Sequence, residues 1–405
     1  MATAEASVAA VEPVGVTVPR GFRAAGVHGG IKRRKPDVAL VVSDRPAVAA
    51  GMFTTNRLKA APVRYSERVV ARGVARAVVI NSGNANACTG ERGWRDAVAM
   101  AEATAAALGI APEEVLVAST GVIGVPLPMA AVRRGIALAA AALGRERGAA
   151  AAEAIRTTDA FSKTASAVAT LAEGQVRVGG MAKGAGMIHP RLATTLAVVT
   201  TDAAVAPAAW QALLRRAVDV SFHAITVDGD TSTNDSVFAL ANGAAGVAPR
   251  TPADWAAFEA AVVEVLQRLA RLVVRDGEGA ERLALVRVRG AASDAEARAA
   301  AEAVATSLLV KTMLHGGEPN WGRVAAALGR AGVAIEEGRL AIDFGEVPVV
   351  RGGVGVEGVA AAAAAALRRE EVTIAIDLGL GAGCAEIWTC DLGHRYVELN
   401  GRYLT

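Results

Sequence analysis

The chain has 405 residues, 53% of them hydrophobic and 20% charged, enough to bury a large core and long enough for two domains, which excludes a disordered chain. Forty-three Lys and Arg against 40 Asp and Glu give a net charge of +3. The basic residues fall singly or in pairs and aromatics are only 4%, which argues against a nucleic-acid-binding surface built from aligned cations and stacking rings.

Residues 1–21 lack the basic stretch followed by an apolar run of a secretory signal, and carry Glu5 and Glu12, so a short flexible arm is expected. The longest basic cluster, Lys32 to Lys35, reads as a solvated face. Ala77-Val-Val-Ile80 is a short buried strand that runs into the turn-rich Asn81-Ser-Gly-Asn-Ala-Asn86, and 95–108 has helical composition, ending at Gly109. Val115-Leu-Val-Ala118 repeats that plan and leads into Ser119-Thr-Gly-Val-Ile-Gly124. Each strand therefore delivers small polar residues to its end.

Four glycines in eight residues open the segment Gly179-Gly-Met-Ala-Lys-Gly-Ala-Gly186, and a β-rich run follows over 195–201. Glycines permit close backbone approach, and Lys183 among them can meet an anion. The clearest helix spans 252–274: Thr251 caps it, Pro252 suits its first turn, and Trp255, Phe258, Val262, Leu266, Leu269 and Val273 recur at spacings of three and four. Ser293 with Glu296 forms a capping-box pattern that opens a helix through about 306. Beyond it, 339–345, 372–377 and 395–399 read as strands around an alanine-rich helix at 357–368, a smaller C-terminal domain with its boundary near 287–292. The alternation of helix and strand throughout predicts an α/β protein.

Cys88, Cys384 and Cys390 have no metal-ligand spacing and read as small core residues in a reducing compartment. The five histidines are too dispersed for a local zinc motif, and no apolar run is long enough to span a bilayer. No metal or prosthetic group is expected.

The segment from Lys183 to Leu196 resembles the self-cleavage segment of the ornithine acetyltransferase (arginine biosynthesis bifunctional protein) family: Lys-Gly-small-Gly-Met-Ile, a proline two residues on, then Ala-Thr and an apolar strand. The likeness runs along almost the whole chain. It takes in Gly51-Met-Phe-Thr-Thr-Asn56, the two strand-end turns above, Thr157-Thr-Asp159, Asp228-Gly-Asp-Thr-Ser-Thr-Asn-Asp235, Asp276-Gly-Glu-Gly-Ala280, Lys311-Thr312, Pro319-Asn-Trp-Gly-Arg323, Cys390-Asp-Leu392 and Tyr396-Val-Glu-Leu-Asn400.

The resemblance implies an αββα sandwich of the self-cleaving N-terminal-nucleophile type with a smaller C-terminal α/β domain. It implies cleavage between Ala193 and Thr194 into chains 1–193 and 194–405, with 194–290 completing the catalytic core and 291–405 forming the smaller domain. Thr194 would be the nucleophile, since cleavage frees an α-amine beside its hydroxyl to act as base. Thr120 and Gly121 would form the oxyanion hole. Lys183 would take the substrate carboxylate and Glu278 its distal ammonium, with Thr157 or Thr158, Asn400 and Thr405 as further contacts.

The implied reaction is ping-pong transfer of acetyl from N-acetylornithine to glutamate through an acetyl-threonine, in the cytoplasm, by a heterotetramer of two copies of each chain. The motifs leave open whether acetyl-CoA is also a donor. Two other readings share some of these residues: an autoprocessing amidohydrolase or aminopeptidase that passes acyl groups to water, and an uncleaved binding protein. The chain departs from the family pattern at Ala160, Glu281-Arg282, Thr389 and Leu404, the second of which raises the question of altered charge near the substrate.

Overall fold

The computed structural model describes residues 12–189 and 195–401. Ala193, Thr194, Leu404 and Thr405 lie outside the described residues.

The first sheet contains β1 (Phe22–Val27), β2 (Val38–Phe53), β3 (Val74–Asn84), β4 (Val115–Val122), β5 (Lys163–Leu171), β6 (Gly174–Lys183), β7 (Leu196–Thr201) and β8 (Ser236–Ala241). Its order is β4-β3-β2-β8-β7-β6-β5, with β1 on β2. The 16-residue β2 is where the sheet becomes two layers. Its first part, Val38 to Val42, pairs with β1 and β3, and the register then shifts between Val42 and Ala47. From Val48 to Phe53 it pairs with β8 instead.

Side-chain alternation puts Val41, Val78, Ile80 and Leu116 on the inner face of one half-sheet, against Met181, Leu196, Val198, Phe238 and Leu240 of the other. The outer face of the first half packs on α2 (Gly90–Leu108) and α3 (Met129–Ala141), preceded in the chain by α1 (Ala61–Ala71). That of the second half packs on α5 (Pro207–Asp219) and α6 (Pro252–Arg275), with α4 (Gly148–Ala154) closing one side of the inner core. The four layers are therefore helix, sheet, sheet, helix, the αββα sandwich the sequence implied. Burial of the α6 stripe Phe258, Val262, Leu266, Leu269 and Val273 shows why its period was legible.

The second sheet, β9 (Leu283–Ala291), β10 (Ala341–Phe344), β11 (Val347–Arg351), β12 (Val354–Gly355), β13 (Glu371–Asp377) and β14 (Gly383–Cys390), has the order β12-β11-β10-β13-β9-β14. It has its own apolar core with α7 (Asp294–Ala305), α8 (Leu308–Gly316), α9 (Trp321–Gly329) and α10 (Ala360–Leu367). Because β9 sits between β13 and β14, this unit begins at Leu283, and a boundary at 290/291 would cut the strand from its own sheet.

Residues 395–399 correct the reading as a strand: they lie in α11 (His394–Asn400), whose Val397 is exposed, so their apolar alternation faces no sheet. Asn81 to Asn84 and Ser119 to Val122, expected as turns, remain in β3 and β4 and pair with each other in parallel. Only Cys390 is a core cysteine; Cys88 and Cys384 are exposed. Among the described residues, no helix is long and apolar enough to cross a membrane.

Candidate active site

The parallel ends of β3 and β4 open onto a cleft of about 810 Å³. Thr120, Gly121, Thr157, Thr158, Lys183, Glu278 and Asn400, scattered over 281 positions of sequence, all line it. Gly121 has a φ of +127°, and a Cβ there would stand 2.3 Å from the Gly83 carbonyl carbon, so only glycine lets the two strand ends lie this close. Asn234 locks the same corner: its Nδ2 donates to the carbonyls of Ala85 (2.5 Å) and Ser119 (2.8 Å).

Lys183 ends β6 and is buried, with Nζ 3.4 Å from the Thr120 hydroxyl oxygen and 3.9 Å from Asp159 Oδ2. Burial pushes its pKa below the ordinary lysine value, while Asp159 pulls the other way. Asp159 is the organiser behind it. One of its oxygens accepts from Lys163 Nζ (2.7 Å) and the Gly184 amide (2.8 Å), and the other from the Thr157 amide (2.9 Å). Although burial works against its charge, Lys183 and Lys163 hold its carboxyl well below the usual carboxylate range. Lys163 Nζ also reaches Asp276 Oδ2 at 2.5 Å, and Asp276 accepts the Ala160 amide, so α6 is tied through one buried ammonium to the Thr157–Asp159 turn. Ala160 meets Asp276 through its backbone amide, a contact that needs no hydroxyl.

Glu278 follows the end of α6; its amide donates to Ala185 O (2.8 Å), and its carboxylate accepts from Asn400 Nδ2 (2.7 Å). The C-terminal helix thus closes over Glu278. Tyr396 on the same helix donates to Asp228 Oδ2 (3.3 Å), whose carboxylate also receives the Met187 and Ile188 amides (2.6 and 2.8 Å). Of the threonine pair, Thr157 is half-buried against Asp159 and Thr158 is exposed.

Several residues here escaped the reading of sequence. Asp159, Lys163 and Asp276 are single charges whose partnership appears only once β5 and α6 are packed. Lys32 corrects the expectation of a solvated face: it is half-buried, lines the cleft, and donates to Pro36 O (3.0 Å) and Arg156 O (2.5 Å), while Arg33, Arg34 and Lys35 occupy the exposed rim. Burial lowers the Lys32 pKa to about 8, against the opposing pull of Asp37.

The departures at Arg282 and Thr389 have local explanations. Arg282 donates to the carbonyls of Leu314 (3.0 Å) and His315 (2.5 Å), and neither it nor Glu281 lines the cleft. The buried Thr389 hydroxyl accepts from Lys311 Nζ (3.0 Å) and donates to Ala305 O (3.0 Å). His315 and Asp391, dispersed in sequence, meet at 2.8 Å near Glu281, but Asp391 Oδ1 already takes the Glu281 and Arg282 amides.

Polar strand-end donors, a buried lysine and a facing carboxylate in one cleft of an αββα sandwich are the equipment of an acyl-transfer enzyme. Comparison with known proteins narrows this class. The ArgJ family profile matches residues 23–405. The arginine biosynthesis bifunctional protein ArgJ of Symbiobacterium thermophilum is 53% identical over 396 residues, covering 96% of this chain and 98% of that protein. The protein of that name from Thermosynechococcus vestitus is 48% identical, again over 96% and 98%. The chain belongs to the ArgJ family. Among solved structures, an ornithine acetyltransferase from Mycobacterium tuberculosis complexed with ornithine is 46% identical (TM-score 0.42), covering 45% of this chain and 96% of its own. The arginine biosynthesis bifunctional protein of Bacillus halodurans is 37% identical (TM-score 0.49), covering 50% and 97%.

Proposed function

We propose that the protein is a glutamate N-acetyltransferase of arginine biosynthesis that cleaves itself between Ala193 and Thr194 and carries acetyl from N-acetylornithine to glutamate on Thr194. The observation that carries the reading is the convergence of Thr120, Gly121, Lys183, Glu278 and Asn400 on one cleft, bordered by a strand whose Leu196 pairs directly with Lys183.

In the first half-reaction Lys183 holds the α-carboxylate of acetylornithine and Glu278 its side-chain ammonium, which sets the acetyl carbonyl between Thr194 and the ends of β3 and β4. Attack by the Thr194 hydroxyl gives a tetrahedral oxyanion that the Thr120 and Gly121 donors stabilise. Its collapse releases ornithine, and the Thr194 α-amine, with an ordinary pKa near 8, takes and returns the proton. Glutamate then binds by the same carboxylate contact and removes the acetyl group. Thr157 and Thr158 border the carboxylate end and Asn400 orients Glu278; Thr405 is the further substrate contact that the family resemblance implies.

No metal or prosthetic group enters this scheme, and acetyl-CoA is a second acetyl donor to test. The mature protein in this reading is a cytoplasmic heterotetramer of two 1–193 and two 194–405 chains, and the two chains of each copy stay together because β7 lies between β6 and β8 in one sheet. Incubation with acetylornithine and glutamate tests the function: acetylglutamate is expected, whereas free acetate as the main product would make the protein an amidohydrolase. Replacing the donor by acetyl-CoA in the same assay reads the second activity.

A further inference from the structure

One cleft has to take, in turn, two amino acids whose side chains carry opposite charge. Acetylornithine brings an ammonium, which suits Glu278, whereas glutamate brings a second carboxylate that Glu278 repels. The contact at Lys183 serves the α-carboxylate of either, so it is the side chains that have to part. A cleft of about 810 Å³ is in the size range of sites for ligands larger than an amino acid, which leaves room for two directions.

The charged lining is divided to match. The acids gather about residues 185–188: the Glu278 amide donates to Ala185 O, a Cβ on Gly186 would lie 2.8 Å from the Glu278 carboxyl carbon, and Asp228 accepts the Met187 and Ile188 amides. The bases come instead from the loop between β1 and β2, which lies on the end of β3. A Cβ on Gly83, the partner of Gly121, would stand 2.8 Å from Ile31 Cγ2 and 3.5 Å from Lys32 Cγ.

This basic loop is held firmly from behind. The buried Asp37 carboxylate accepts the amides of Gly29 (2.6 Å), Gly30 (3.0 Å), Ile31 (2.7 Å) and Lys32 (2.9 Å), and Arg134 Nε of α3 donates to Gly29 O (3.0 Å). With its backbone so engaged, the loop presents side chains to the cleft. Lys32 Nζ spends two of its three donors on Pro36 O and Arg156 O, which leaves one for a ligand. Arg33, Arg34 and Lys35 are exposed at the mouth and form no ion pair among the described residues.

We propose that the Lys32–Lys35 loop is the subsite for the side-chain carboxylate of glutamate, an inference that rests on the acetyl-transfer reading above. With its α-carboxylate on Lys183, glutamate turns its side chain toward Lys32 and the end of β3, and the arginines of the rim add to the attraction. The ornithine side chain is repelled by the same loop and turns to Glu278. Charge alone then sorts donor from acceptor in a single cleft.

The test is steady-state kinetics of the full-length protein with acetylornithine as donor, comparing glutamate with its neutral isostere glutamine as acceptor. The triple variant Arg33→Gln, Arg34→Gln, Lys35→Gln changes exposed residues only and should melt near the wild-type temperature. It should raise the KM for glutamate roughly 10-fold or more and that for acetylornithine by less than about 3-fold, with the preference for glutamate over glutamine falling in step. Lys32→Met should show the same split. Added salt should raise the wild-type KM for glutamate and leave that for glutamine nearly unchanged. A glutamate KM that stays at the wild-type value in the triple variant would overturn the proposal, as would glutamate and glutamine losing affinity equally. Wild-type protein that makes no acetylglutamate at all would instead remove the acetyl-transfer reading, so the two failures are distinguishable.

Discussion

The αββα unit and the unit that begins at Leu283 are both mixed α/β layers with apolar cores, yet the ion pairs along their sheets sit in different surroundings. In the second unit the ion pairs Arg287–Glu386 and Arg289–Asp377 sit on the surface with their side chains substantially exposed. In the first, Lys163, Asp159, Asp276 and Lys183 are interior, linked from β5 through the Thr157–Asp159 turn to the end of α6. Burying charge costs several kcal/mol per ion unless each is met by partners, and such a network holds only a narrow geometry. The difference separates a cluster that positions a site from pairs that merely decorate a sheet.

The sharpest way to break this contrast is Lys163→Met, which leaves Asp159 and Asp276 buried without their shared cation. It should cost about 3–5 kcal/mol in urea unfolding. Acidification probes the same cluster. A carboxyl depressed in the folded state gives stability that is complete above its unfolded pKa of about 3.9 and lost as pH falls through its folded value. Wild-type stability from Asp159 should therefore decline below about pH 4, and the Lys163→Met variant should lose less over that window. Burial raises the Asp276 pKa, with Lys163 opposing, so its contribution runs the other way and fades as pH rises.

Thr120→Val removes a donor at the strand end and should lower the acetyl-transfer kcat roughly 10²- to 10³-fold with little change in melting temperature. Glu278→Gln weakens a charged contact to the ornithine side chain, worth about 1.5–3 kcal/mol. It should show mainly as a higher KM for acetylornithine, with the KM for glutamate much less affected. At the small end, Arg287→Ala should change stability by less than about 1 kcal/mol, since its pair with Glu386 is exposed to solvent. A large loss there would erase the distinction between the two units.

The strongest local signals were the ones readable from sequence. The α6 stripe, the Thr251 cap and the strands from Val115 and Leu196 follow from period and turn chemistry, and the cleft-lining Thr120, Gly121, Lys183, Glu278 and Asn400 stand in family-like motifs. What escaped depended on packing over long separations. The Lys163–Asp276 contact joins residues 113 positions apart, and Lys32 donates to the carbonyl of Arg156, 124 positions away. The helix at His394–Asn400 was misread because Tyr396-Val-Glu-Leu has strand-like alternation, while no strand lies beside it to bury Val397. The sequence marks the second unit only at the capped helix α7, whereas its sheet already begins one element earlier, at β9.

The central claim is self-cleavage before Thr194, and the intact mass of the purified protein, with N-terminal sequencing of its fragments, tests it most directly. The account predicts two chains that stay together until denatured, the second beginning Thr-Thr-Leu. A single 41.1 kDa chain that transfers acetyl to glutamate at full rate would contradict it.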